Sequence, residues 1–147
     1  MTMRTNRPAI LAALAVVLTA STAAADVAGT YDVKFEEVST NCQAPLRYPH
    51  GKLEIAVKGT SITVDVFRTP PMRGSIVKGG KLSAKSRSGS TMMEGMKGVF
   101  SVAGKFTPEG MLSLVMVGEY TANGKPLCSQ SWNVVGTKAE PAKQPSK

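Results

Sequence analysis

The chain is poor in the residues from which most reaction centres are built. It has one histidine, His50, two cysteines, one tryptophan, and aromatic residues at only 5% of its 147 positions. One imidazole cannot furnish a multi-histidine metal centre, and two cysteines cannot make a four-cysteine zinc site or a disulfide-dense miniprotein. No Cys-x-x-Cys pair is present, which removes the usual dithiol redox motif. A Ser-His-acid machine would have to use His50, and no Gly-x-Ser-x-Gly elbow accompanies it. Glu36 and Glu37 are adjacent, so a strand points them to opposite faces and cannot pair them as acid and base. The expectation is a protein that is not an enzyme, with no catalytic residue and no cofactor. Met92, Met93 and Met96, with Met72, have the soft thioethers that copper(I) favours. The cluster is not repeated and only one histidine could support it, so we read it as an adaptable apolar lip and expect no metal.

Long apolar runs are also scarce. The single one, residues 9–18, follows Arg4 and Arg7 and precedes Ala23-Ala24-Ala25. A basic start, a short apolar centre and a small-x-small end are the three parts of a secretory signal peptide. Ten apolar residues are too few to span a bilayer comfortably, where about 20 are needed. Residues 1–25 are therefore expected to be removed after Ala25, sending the mature chain to the periplasm or outside the cell. No later stretch is long and apolar enough for a transmembrane helix. Pro141 and Pro145, with Lys143 and Gln144, mark residues 138–147 as a disordered tail. One domain, residues 26–137, lies between. With 42% hydrophobic and 19% charged residues it can bury a core, and its length suits one domain rather than two.

Acidic residues are lacking over one long stretch. Between Arg68 and Lys105 there are Arg68, Arg73, Lys78, Lys81, Lys85, Arg87, Lys97 and Lys105, against Glu94 alone. The whole chain has a formal charge of +8, and loss of Arg4 and Arg7 leaves 16 basic against 10 acidic residues, or +6. A field of this sign attracts polyanionic envelope components, although a basic excess also serves solubility alone. Nucleic acid is not expected as a partner, because no aromatic-studded basic motif is present.

Helical periodicity is missing too. After residue 26 no segment sustains a 3.6-residue repeat, whereas alternation is frequent. Tyr31, Val33 and Phe35 alternate with polar neighbours, as do Leu53, Ile55 and Val57, and then Ile62, Val64 and Val66. Turn residues separate these runs: Gly59, Gly79-Gly80, Pro108-Glu109-Gly110 and Asn123-Gly124. The last is a strong signal for a type I′ hairpin, whose two central residues both need positive φ. The pattern predicts strands over 28–37, 51–57, 61–67, 73–78, 81–86, 97–106, 111–121 and 126–136. Eight strands joined by short turns imply antiparallel neighbours and an all-β, eight-stranded up-and-down barrel, with a two-sheet β-sandwich as the alternative.

Cys42 follows the first strand and Cys128 begins the last, so antiparallel pairing of those strands would bring the two together. An oxidising compartment would then join them. Closing so long a loop is worth about 4–5 kcal/mol in the chain-entropy account. Segments 39–51, broken by Pro45 and Pro49, and 86–98, rich in Ser, Gly and Met, interrupt the regularity. They follow strands one and five and so fall at one end, where an entrance is expected; the second is expected to be mobile.

The inward faces gather Tyr31, Val33, Phe35, Leu53, Ile55, Val57, Phe100, Val102, Leu112, Leu114, Met116, Tyr120 and Trp132. All but Val57 are taken as candidate ligand-binding residues. An eight-stranded barrel can either fill its interior or hold one small molecule. Gly104 and Gly118 fall on inward positions, where a missing side chain would leave room or relieve a bend.

The Gly29-Thr30-Tyr31 opening, the antiparallel meander and a disulfide near the last strand together resemble the lipocalin or calycin class of secreted barrels. Tyr31 stands where lipocalins usually carry tryptophan, and the late arginine of that class has no counterpart, since Arg87 is the last arginine here. The resemblance implies non-catalytic binding of a small hydrophobic or amphipathic molecule inside the cup. The alternative is an envelope interaction module that binds polyanions or an acidic partner through Arg68, Arg73, Lys78, Lys81, Lys85, Arg87 and Lys97.

Overall fold

The structure, a computed structural model, describes residues 27–48 and 50–139. The expected signal peptide lies outside the described residues, as does all of the expected tail beyond Ala139. Nine strands run in chain order: β1 Gly29–Thr40, β2 His50–Lys58, β3 Ser61–Val66, β4 Met72–Ile76, β5 Lys81–Ser86, β6 Gly89–Ser90, β7 Met96–Phe106, β8 Met111–Ala122 and β9 Lys125–Lys138. Eight of them coincide with the expected strands to within three residues at either end.

All neighbours are antiparallel in a single sheet ordered β5-β4-β3-β2-β1-β9-β8-β7-β6, with β5 pairing β7 in addition. The first strand therefore lies beside the last, from Tyr31 opposite Lys138 to Thr40 opposite Gln130. Strand β5 meets β7 from Lys81 opposite Lys105 to Lys85 opposite Ser101. The sheet thus curls into a multi-stranded partial ring around one core. An irregularity between Glu37 and Ser39 leaves Val38 without an opposite residue, as a β-bulge does.

The turns take the backbone that the sequence requires. Asn123 and Gly124 have φ of 54° and 74° at the β8–β9 hairpin, the left-handed pair a type I′ turn needs. Strand β9 runs through Lys138, one residue beyond the expected domain boundary, and the Ala139 N–H donates to the Thr30 carbonyl at 2.8 Å. Segment 86–98 is also more structured than its composition suggests. Gly89 and Ser90 pair with Gly98 and Lys97. The Thr91 hydroxyl donates to the Met96 carbonyl at 2.9 Å and accepts the Met93 N–H at 3.1 Å. A threonine side chain here supplies hydrogen bonds that the sequence pattern does not advertise.

Inward alternation builds the core. Every expected inward residue is buried except Val57, which is partly buried against the cluster. The glycine positions are occupied by neighbours. A Cβ on Gly118 would lie 2.8 Å from the Tyr120 hydroxyl and 3.1 Å from the Phe100 ring. A Cβ on Gly104 would lie 2.1 Å from the Ser113 carbonyl oxygen. Gly118 therefore makes room for aromatic rings, whereas Gly104 marks a close approach of two backbones. At one end Val27 is buried and its carbonyl accepts the Tyr31 hydroxyl at 2.6 Å.

Candidate functional site

The opposite end of the sheet carries both interrupted segments, as the strand order requires. Here segment 41–48 folds back over the core. The Cys42–Cys128 disulfide fastens its beginning, with Cα atoms 5.1 Å apart. The Ser129 N–H donates to the Asn41 side-chain oxygen at 2.7 Å. Buried Gln130 holds the middle: its amide oxygen accepts the Leu46 N–H at 3.0 Å and the Tyr120 hydroxyl at 2.9 Å, and its NH2 donates to the Leu46 carbonyl at 3.1 Å. Leu46 is buried in consequence. A polar residue in a core is tolerated only when its groups are paired, and Gln130 achieves this by clamping a loop.

Beyond the clamp, Tyr48 lies edge-on to Trp132 with ring centres 5.3 Å apart, and at 5.5 Å from Phe35. Its hydroxyl is buried and has no hydrogen-bond partner among the described residues. Burial pushes this phenol up to about 12, and the positive charge of Arg68 opposes the rise. Next to it is a partly enclosed cavity of about 150 Å³, bordered by Phe35, Arg47, Tyr48, His50, Phe67 and Arg68, among others. Met92 joins the border from segment 86–98, so the two interrupted segments meet at this cavity.

Arg68 is held in an unusual pose. Its φ is 68°, in the left-handed region that side chains other than glycine and asparagine seldom occupy. The turn is tied by the Thr69 N–H and hydroxyl, which both donate to the Val66 carbonyl, at 3.1 and 2.9 Å. The guanidinium lies 5.1 Å from the Phe67 ring centre, and its NH1 donates to the Met92 sulfur at 3.6 Å. Phe67 is 71% exposed. Backbone strain that presents a cation and an aromatic ring to solvent is the kind found at ligand clamps.

Arg47, His50 and Arg68 make no ion pair among the described residues; Lys52, also on the border, is paired with Asp32. The first three side chains converge on an aromatic wall.

Of the twelve candidate ligand-binding residues, Phe35 alone borders this cavity; the other eleven lie in the core. The sequence reading missed Arg47, Tyr48 and Phe67. Their only signal was membership of, or proximity to, a break in strand alternation. His50 borders the cavity but hydrogen-bonds no carboxylate among the described residues. No group of three or more His, Cys, Asp or Glu side chains among the described residues is placed to hold a metal ion. The methionines divide: Met72 and Met96 are buried in the core, Met93 is exposed, and Met92 contacts Arg68.

The basic residues divide as well. Arg73, Lys81, Lys85 and Lys105 share the outward face of β4, β5 and β7, where Arg73 lies opposite Lys85 and Lys81 opposite Lys105. Lys78 is in the β4–β5 turn, Arg87 follows β5, and Lys97 is on β7 opposite Ser90 and Thr121. Arg68 belongs to the cavity instead. Among the described residues no helix is long and apolar enough to cross a membrane. No protein-family model, curated protein or solved structure matches this chain.

Proposed function

We propose that the protein is a secreted or periplasmic, lipocalin-like binding protein without catalytic function. Its sheet is a closed eight-stranded up-and-down barrel, and its ligand is a small amphipathic anion taken at the loop end. Continuous pairing from β1 round to β9, with β5 on β7 across the short β6, supports a barrel over a two-sheet sandwich. The observation that carries the functional reading is the cavity where Arg47 and Arg68, which have no ion-pair partner among the described residues, border an aromatic wall of Phe35, Tyr48 and Phe67.

The size of the cavity restricts the ligand. About 150 Å³ equals the share of roughly five liquid waters, well below the ~300–1,000 Å³ of sites that engulf a drug-sized molecule. A carboxylate or phosphate head fits it, with the apolar remainder lying along exposed Phe67. The head would accept hydrogen bonds from the guanidinium groups of Arg47 and Arg68, which are pure donors.

Trp132, the only tryptophan, touches Tyr48 and reports on the site by its fluorescence. Titration with octanoate is expected to saturate, whereas octanol and octylamine, with the same tail, bind at least about ten-fold more weakly. Arg68→Gln should weaken octanoate by a similar factor, the worth of one charge-assisted hydrogen bond. Equal binding of octanoate and octanol, or an unaffected Arg68→Gln variant, overturns the reading.

A further inference from the structure

We infer that the outward face of β4, β5 and β7 is a docking surface for an extended acidic polysaccharide. This surface shares no residue with the loop-end cavity and stands independently of the function proposed there. Arg73 and Lys85 are direct cross-strand neighbours, and so are Lys81 and Lys105. Like charges placed opposite one another weaken a sheet, yet none of these four cations has an ion-pair partner among the described residues. On the adjoining strand β3, Asp65 lies opposite Glu54 and makes no ion pair with Arg73. Two repulsive pairs without counter-charges fit a surface whose counter-charge arrives with a partner.

The ground between the two pairs selects the kind of polyanion. It is a shallow trough formed by two adjoining depressions of about 500 and 390 Å³ that share Ser83 and Ala103. Ser75 and Ser101 extend its floor beside exposed Val77 and Val115, so apart from the flanking cations no side chain larger than valine stands exposed in it. Lys81 and Lys85 are four residues apart on β5, about 13 Å along an extended strand. A polymer with repeating anionic groups can engage both cation pairs at once, and the second contact is strengthened by the first through effective concentration. Serine hydroxyls offer hydrogen bonds to sugar hydroxyls. Neither depression is bordered by an aromatic ring on which a nucleic-acid base could stack, and neither presents the Phe or Trp side chains of a membrane-inserting face. Charge and floor chemistry together favour the glycan.

The test uses heparin and polygalacturonate as probes, with neutral dextran and anionic phospholipid vesicles as comparisons. Wild-type protein should bind both acidic polymers, lose them as salt is raised, and ignore dextran. Short acidic oligosaccharides should bind more weakly than the polymer. Lys81→Glu with Lys85→Glu should reduce polymer affinity by about ten-fold or more. Lys34→Glu with Lys58→Glu makes the same change in net charge on β1 and β2 and should cost less than about three-fold. Circular dichroism verifies that both variants are folded, and octanoate titration separates this face from the loop-end cavity. Equal losses in the two double variants would reduce the effect to net charge and overturn the proposal. So would failure of the wild type to bind either polymer, or binding to vesicles without binding to polysaccharide.

Discussion

Replacing Tyr48 with phenylalanine is expected to stabilise the protein. The Tyr48 hydroxyl is buried and unpartnered among the described residues. Leaving a buried polar group unpaired costs about 1–3 kcal/mol. The phenyl ring would keep its contacts with Trp132 and Phe35 at 5.3 and 5.5 Å, so little packing is lost. Removing one oxygen opens a small gap, which offsets part of the gain. The expected net effect is a stabilisation of about 1–2 kcal/mol. With a urea m-value of about 2 kcal/mol/M, the unfolding midpoint would rise by roughly 0.5–1 M at unchanged slope. A lower or unchanged midpoint for the variant would refute the reasoning.

Three further outcomes follow from the same geometry. Gln130→Ala strips three hydrogen bonds from Leu46 and Tyr120 in a buried setting and should cost about 3 kcal/mol or more; a loss below about 1 kcal/mol in urea unfolding would contradict the clamp. Reduction of the Cys42–Cys128 disulfide, which spans 86 positions, should remove about 4–5 kcal/mol, and an unfolding midpoint unaffected by reductant would contradict that figure. Burial raises Tyr31 and Tyr48 to about 12 and Tyr120 higher still, with Tyr48 and Glu37 adding to the rise at Tyr120. These folded values lie above the unfolded value near 10, so the associated stability is full below about pH 10 and is lost as pH rises through about 12. Tyrosinate absorbance should therefore appear at higher pH in the native protein than in the urea-unfolded chain, and coincident curves would exclude the linkage.

The cavity shows how a site can be partly legible. Both interrupted segments were visible as breaks in alternation, and strand order placed them at one end. Their contact could not be read, because Arg68 meets Met92 through a left-handed turn at Val66–Thr69 that carries neither glycine nor asparagine. Gln130 was equally hidden. It sits on an inward position of β9, and its amide is satisfied only by Leu46 of the loop packed over it and by the Tyr120 hydroxyl of β8.

Period-two alternation and positive-φ turn residues are local properties, so the sequence by itself determined where the strands run, which faces turn inward and where the hairpins close. The lone cysteine pair likewise left one internal partner for Cys42. What the tertiary structure alone decided was convergence. Arg47, Tyr48, Phe67, Arg68 and Met92 border one cavity although they come from three separate segments, and Arg73 and Lys81 acquire like-charged neighbours from the strands beside them. Those meetings depend on strand register and on the curl of the whole sheet, which bring distant side chains within reach and have no counterpart in the spacing of residues along the chain.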